Sequence, residues 1–382
     1  MQRTVYGEEH EAFRMTVRKF LSAEAAPYAA EWEKAGETPR EYWRRLGELG
    51  VLGIQIDEKY GGGGERSFKF NAVLAEELNR VHVDYGSLRL HMDLVLPYLL
   101  HNTNDEQKAR WLPGIASGEL LTAIAMTEPG AGSDLAGVST RAVREGDHYV
   151  LNGSKTFISQ GATADLLLVV ARTSESETDR RRGLSILVVE SSSPGVTVGR
   201  KLEKIGLKAQ DTAELFFEDV LVPADNVLGE EDEAFSILTT NLAQERLSIA
   251  VGCLASAVTA VDLTVNYVRE RKVFGQPLAR FQNTKFWLAE CAAEIEACQA
   301  LVDKALENHD QGTLGVADAA KVKLVCSEMQ DRVLDKCLQL HGGYGYMSDY
   351  PISKMFVNAR VMRIAGGSSE ILKTIISKSL GL

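Results

Sequence analysis

Long hydrophobic runs are missing from this chain, as are paired cysteines, a leader segment and an excess of basic charge. The longest wholly apolar run is Leu166 to Ala171, far below the ~18 residues a membrane-spanning helix requires, so no bilayer span is expected. The opening residues MQRTVYGEEHEAF hold neither an apolar core nor an arginine-rich, acid-poor stretch, so neither export nor organelle import is expected. The five cysteines, Cys253, Cys291, Cys298, Cys326 and Cys337, include no CxxC pair, and their odd number argues against a disulfide framework. A reducing, cytoplasmic setting fits that usage, and no metal centre is expected. A formal charge of -11, from 42 basic against 53 acidic residues, repels a phosphate backbone and argues against nucleic acid as a partner. It leaves room for a local basic pocket. The glycine run Gly61 to Gly64 lacks the Gly-Lys-Ser/Thr of a phosphate-binding loop and predicts a flexible loop instead.

What is present suits a globular protein of two or three domains: 382 residues, 45% hydrophobic and 25% charged. From Glu8 to about Leu120, segments such as EYWRRLGELG and NDEQKARWLPGIASGE carry apolar residues at helical spacing. From Thr122 to about Leu228 the character changes to short β-rich runs (HYVLNG, KTFIS, DLLLVVART, GLSILVVES, GVTVGR, AELFFEDVLV), with Asn152-Gly153 as a hairpin signal. Beyond Pro223 the only prolines are Pro277 and Pro351, and the Ala-, Leu-, Glu- and Lys-rich segments between favour long helices. There, Leu247, Val251, Leu254, Val258, Val261, Val265 and Val268 alternate by four and three, which makes a packing seam. The layout is an α+β architecture: a helical domain over 1–121, a β-barrel or sandwich over 122–228, and a helical bundle over 229–382.

Several segments carry candidate chemistry. AMTEPGAGSDLAG (Ala125 to Gly137) lacks the third glycine of a dinucleotide fingerprint, so its glycines by themselves mark a tight turn. In LNGSKTFISQGATAD, Phe157 and Ser159 lie two apart on a strand and share a face. RERKVFGQPLARFQ offers guanidinium groups, whose paired donors suit a pyrophosphate. The glycines of QLHGGYGY permit close backbone approach to a ligand, and glycines also end helices.

With GLKAQDTAELFFEDVLVP (Gly206 to Pro223), these segments resemble the acyl-CoA dehydrogenase family over nearly the whole chain. The resemblance implies that fold, with a four-helix bundle at its C-terminal end, and FAD as cofactor. It places Met126, Thr127, Gly132 and Ser133 along the flavin, with Ser133 also near the substrate, and stacks Phe157 on the ring beside Ser159. It assigns Arg271, Phe274, Gln282, Gln339, Gly342 and Gly343 to the pyrophosphate and adenosine end of a neighbouring subunit's cofactor, which implies a homotetramer or dimer. Ser368 and Glu370 fall in a flavin-contacting stretch. GLKAQDTAELFFEDVLVP takes strand and turn roles without chemistry.

Desaturating a thioester requires a base for the Cα proton, and a carboxylate screened from water has the raised pKa that suits it. Many family members keep that glutamate near the C-terminus, but in MRIAGGSSEIL its place is taken by Gly366. Glycine cannot move a proton. Long-chain and isovaleryl-type members carry the base in an ERL context, which NLAQERLSIA repeats, so the resemblance points to Glu245, with Arg246 binding the CoA portion and Gly366 beside the substrate. Glu245 lies about 200° around the helix from Leu247 and faces away from the seam, and its own stripe continues through Ile249, Gly252 and Ser256, small residues that leave room for an acyl chain. Val357-Asn358-Ala359 replaces a frequent Arg-Asp-Ala and removes an ion pair. The implied activity is α,β-dehydrogenation of a long-chain or branched acyl-CoA, with electrons passed to an electron-transfer flavoprotein. Alternatives are a dehydrogenase of carrier-protein-bound thioesters, a catalytically silent flavoprotein or binding partner, and an oxidase or monooxygenase.

Overall fold

The computed structural model describes residues 3–176 and 178–382. Its N-terminal part is helical: α1 (Glu8–Glu24), α2 (Ala29–Ala35), α3 (Arg40–Glu48), α4 (Lys69–Arg80), then α5 (Ser87–Arg89), which continues through a π-helical stretch (Leu90–Val95) into α6 (Leu96–His101), and α7 (Asp105–Ser117). Local chemistry sets the ends of α7: Asn104 and Gln107 cap each other's backbone N–H groups, and Gly118 closes the helix in the left-handed region. Gly61 to Gly64 is not a free loop. Gly62, Gly63 and Gly64 donate to Asp57, Gly53 and Ile56 carbonyls, and a Cβ on Gly62 would stand 2.0 Å from the Ile56 carbonyl oxygen. Close backbone approach selects glycine at position 62, and left-handed φ values of 87° and 67° select it at 61 and 64.

The middle part holds β1 (Thr122–Ala125), β2 (Arg141–Glu145), β3 (His148–Ser159), β4 (Leu166–Arg172), β5 (Leu184–Glu190), β6 (Val196–Lys201), β7 (Thr212–Pro223) and β8 (Val227–Leu228). Their order is β6-β7-β3-β2-β4-β5-β8, with β1 parallel to β4. Only Arg141 opposite Arg172 joins β2 to β4, so the sheet is hinged there into two leaves. Tyr149, Leu151 and Leu215 of one leaf share a buried core with Leu167, Val169 and Leu187 of the other, as in a sandwich. Asn152-Gly153 does not turn a hairpin: β3 runs through it, with a register shift against β7 between Leu151 and Gly153. A Cβ on Gly153 would stand 2.5 Å from Thr140 Oγ1, so close approach selects glycine, and Asn152 exchanges hydrogen bonds with Asp219. The hairpin turns instead at Gly146, between Glu145 and His148.

The C-terminal part is a bundle of α8 (Ala234–Glu270), α9 (Gln282–Asp310) and α10 (Val316–His341), with α11 (Pro351–Ala359) and the shorter α12 (Ser369–Ser379) packed on it; a small hairpin, β9 (Lys272–Val273) and β10 (Gln276–Pro277), joins α8 to α9. The seam forms as expected: Leu247, Val251, Leu254 and Val268 are buried, and Val258 and Val261 pack against the same core. The opposite stripe does not face solvent. Glu245, Ile249, Gly252 and Ser256 are buried too, because the α4 and α5 side of the N-terminal part covers that face. By length and composition α8 is the one helix among the described residues that could cross a membrane, and 67% of its most apolar stretch is buried within the fold. A core position on both faces accounts for that apolarity.

Candidate active site

Glu245 sits in the first third of α8 and is 6% exposed. Burial raises its pKa above the ordinary carboxylate range, while the charges of Arg246 and Lys323 pull the other way. Opposite it, Gly366 and Gly367 turn the chain with φ of 65° and 94°. A Cβ on Gly366 would stand 2.5 Å from Ile249 Cδ1 and 3.4 Å from a Glu245 carboxylate oxygen. Space next to position 366 is thus occupied from α8, and the Glu245 carboxylate lies beside it. Two cations from neighbouring helices tie this turn down: Arg246 Nε donates to the Gly366 carbonyl at 3.4 Å, and the buried Lys323 Nζ donates to the Gly367 carbonyl at 2.9 Å. Burial pushes Lys323 down to about 8. Arg246 Nη1 is buried without a hydrogen-bond partner among the described residues.

Beside this stripe lies a polar cluster that the sequence reading missed. Arg89 of α5 donates from Nε to Asp84 Oδ1 at 3.2 Å, is ion-paired through Nη2 to Asp84 Oδ2 at 3.0 Å, and donates from Nη1 to the Ser248 carbonyl at 3.0 Å. Asp93 accepts from the Ser248 hydroxyl and from Asn71 Nδ2, and burial raises it to about 6. The available signal was Arg89 and Asp93 placed four apart in the mostly apolar run SLRLHMDLVLPYLL. Breaking a buried pair of this kind costs about 3–5 kcal/mol, whereas each methylene buried returns about 0.8 kcal/mol. Displacing it costs as much as burying about four to six methylenes returns.

The loop holding Met126, Thr127, Gly132 and Ser133 is fastened to β3 by a second missed feature, the ion pair of Glu128 and Lys155 at 2.8 Å. Glu128 also accepts from Ser139 N, Ser139 Oγ and Thr140 N at 2.8, 2.6 and 2.9 Å, and Lys155 Nζ reaches the Met126 carbonyl at 3.1 Å. Burial alone would raise Glu128, but these donors outweigh it and hold the carboxyl down to about 2. Thr156 N donates to the Thr127 carbonyl, so loop and strand move as one. On β3 the register shifts between Lys155 and Ile158; Ile158 is buried, while Phe157, with φ of 58°, is 68% exposed and Ser159 partly exposed. Phe157 is therefore open to solvent and Ser159 partly so, with Gly132 and Ser133 also exposed at the loop tip.

A second group gathers at the far end of α8. Arg271, Gln339, Gly342 and Gly343 line a groove of about 700 Å³ with Tyr267 and Trp287. Phe274 is 96% exposed at its rim, edge-on to Phe281, and Gln282 follows as the exposed first residue of α9. Nothing lies within 4 Å of where a Cβ would stand on Gly342 or Gly343. Between Glu245 and Arg271 the helix rises about 39 Å. Within one chain the two groups therefore lie at separate ends of α8. Ser368 and Glu370 stand apart from the groove, at the N-terminus of α12, where backbone N–H and the Ser368 side chain lower the Glu370 carboxyl.

Three family models match the chain in succession: the N-terminal domain of acyl-CoA dehydrogenase over residues 7–119, the middle domain over 123–220 and the C-terminal domain over 234–381. The chain belongs to the acyl-CoA dehydrogenase family and is an oxidoreductase acting on CH–CH bonds. More particularly, it is 45% identical over 379 residues to the mitochondrial long-chain specific acyl-CoA dehydrogenase of Rattus norvegicus, covering 99% of this chain and 88% of that protein. To the mitochondrial isovaleryl-CoA dehydrogenase of Pongo abelii it is 36% identical over 378 residues, covering 97% and 88%. The crystal structure of acyl-CoA dehydrogenase from Geobacillus kaustophilus superposes with a TM-score of 0.96 at 47% identity, covering 99% of each chain.

Proposed function

We propose that this chain, whose relatives are named for long-chain and isovaleryl substrates, is an FAD-dependent acyl-CoA dehydrogenase in which Glu245 takes the Cα proton of a saturated acyl-CoA. The observation that carries the reading is the Glu245 carboxylate, desolvated on α8 and lying where Gly366 has no side chain. Desolvation makes a carboxylate a stronger base, suited to work near neutral pH.

The residues present fit FAD. Exposed Phe157 offers a stacking face, the Gly132–Ser133 tip allows close approach, and the groove of Arg271, Gln339, Gly342 and Gly343 has the donors and clearance for a pyrophosphate and adenosine. The span along α8 favours a neighbouring subunit's cofactor in that groove, hence a homodimer or homotetramer. When bound, FAD supplies the acceptor for the hydride leaving Cβ. Arg246, with an unpaired buried Nη1, suits the anionic CoA portion and holds the Gly366 turn. Glu128 and Lys155 keep the Met126–Ser133 loop rigid on β3. Electrons then leave to an electron-transfer flavoprotein.

Glu245→Ala tests the base. The variant is expected to bind FAD while losing about 10²–10⁴-fold in the rate of flavin bleaching by a saturated acyl-CoA under anaerobic conditions. Full bleaching at the wild-type rate overturns the assignment.

A further inference from the structure

We propose that Arg89 forms the floor of the acyl site, so that this chain takes short, medium or branched acyl groups and rejects long straight ones. The inference rests on the reading of Glu245 as base. An acyl chain whose Cα lies at Glu245 has the stripe Glu245, Ile249, Gly252 and Ser256 on one face of α8 as its wall. Gly252 is the notch in that wall. It is not open: the guanidinium carbon and both terminal nitrogens of Arg89 lie 2.8 to 2.9 Å from where a Cβ on Gly252 would stand. The notch is about 10 Å of helix rise beyond Glu245, and the room that the small residues suggest for an acyl chain is filled there by a cation.

Arg89 is held by both oxygens of Asp84 and by the Ser248 carbonyl, so it does not swing aside for an apolar tail. Adjoining it is a cavity of about 360 Å³ lined by Arg89, Gly252 and Gln330 together with apolar Val81, Leu207 and Met355. Gln330 Oε1 is buried there with no hydrogen-bond partner among the described residues. Reaching that cavity from Glu245 requires the Arg89 guanidinium to leave Asp84 and Ser248, so the held guanidinium, rather than the cavity lining, closes the acyl site. Nor is Arg89 placed to grip a carboxylate at the chain end. Its fork is already filled by Asp84, and Asp93 lies close enough to act on it, so a third carboxylate meets repulsion.

The test compares anaerobic flavin bleaching by butyryl-, isovaleryl-, octanoyl-, dodecanoyl- and palmitoyl-CoA, with calorimetric binding of the same series. Wild-type kcat/KM is expected to hold through octanoyl-CoA and to fall by roughly 100-fold at palmitoyl-CoA. Affinity should stop rising over the same lengths. Arg89→Ala paired with Asp84→Asn removes the floor together with the carboxylate that grips it, leaving Asp93 its hydrogen bonds from Ser248 and Asn71, and should raise the palmitoyl-to-octanoyl ratio by roughly tenfold or more. Equal use of palmitoyl- and octanoyl-CoA by the wild type overturns the floor and leaves the dehydrogenase reading intact. So does an unmoved ratio in the folded double variant, or preference for an ω-carboxylated acyl-CoA over its unsubstituted counterpart. If no thioester bleaches the flavin yet affinity still stops rising beyond octanoyl-CoA, the dehydrogenase reading falls and the floor stands. The wild-type binding series decides the floor even if the double variant does not fold.

Discussion

Two buried glutamates of this fold, Glu128 and Glu245, have opposite surroundings. Glu128 receives hydrogen bonds from Lys155, Ser139 and Thr140, and its carboxyl is held down to about 2. Glu245 receives no hydrogen bond from the described residues; burial dominates and raises it, against the more distant charges of Arg246 and Lys323. A fully bonded buried carboxylate is committed to structure, since moving a proton onto it breaks the network that pays for its burial. An under-bonded one can cycle between protonated and ionised forms without rebuilding its surroundings. The difference separates a loop anchor from a candidate base although both residues are acidic and buried.

The comparison is broken most severely at Glu245. Glu245→Gln should lower flavin reduction by acyl-CoA about 10²–10⁴-fold while leaving the melting temperature unchanged or higher, because a neutral amide removes a desolvated charge. A large loss of stability would place Glu245 with Glu128 as structural. Next in size is Glu128→Ala, which strands Lys155 in the core and should cost about 3–5 kcal/mol in denaturant unfolding. Pairing Glu128→Leu with Lys155→Met should recover most of that loss; no recovery would mean that the Ser139 and Thr140 bonds, rather than the ion pair, carry the anchor.

The pH dependence sharpens the same contrast. Glu128 has a folded pKa below its unfolded value, so its contribution is complete above about pH 4.5 and is lost as pH falls toward 2, about 3 kcal/mol in all. Glu245 has a folded pKa above its unfolded value. Its effect on stability is most favourable below about pH 4.5 and is lost as pH rises through the folded pKa, while kcat/KM rises over that interval as the base ionises. Unfolding curves of wild type, Glu128→Gln and Glu245→Gln across pH 2 to 8 separate the two, and opposite slopes are expected. Parallel slopes would remove the distinction.

Legibility followed the range of the forces involved. The three-part layout was readable because helical and strand spacing are local, and α8 appeared with its seam because apolar residues recur along one face. Glu245 was legible only through the QERL resemblance together with the missing acid at Gly366. Asn152-Gly153 misled because its turn preference is local, whereas the contact with Thr140 that makes Gly153 part of a bulge comes from elsewhere in the sheet. Arg89 and Asp93 were passed over because charges in an apolar helix gain meaning from partners that only folding supplies: Asp84 and Ser248 for one, Asn71 and Ser248 for the other. Glu128 and Lys155 stood in recognised motifs, yet nothing in their spacing showed that they meet.

The smallest expected effect is at Gly366, and it tests whether the space beside Glu245 is truly closed. Gly366→Ala introduces a methyl group at φ of 65°, where non-glycine residues cost about 1–2 kcal/mol, and sets it 2.5 Å from Ile249 Cδ1. Ile249→Val shortens that side chain, so the double variant should be less destabilised than the two single changes added together, by about 0.5 kcal/mol or more. Because the Glu245 oxygen lies at an ordinary 3.4 Å from the new Cβ, the methyl leaves the carboxylate in place, and its pH–rate limb should stay where wild type has it. A limb displaced in Gly366→Ala and restored by Ile249→Val would show that the turn sets the basicity of Glu245, and the contrast with Glu128 would then belong to the Gly366 turn as much as to the burial of Glu245 on α8.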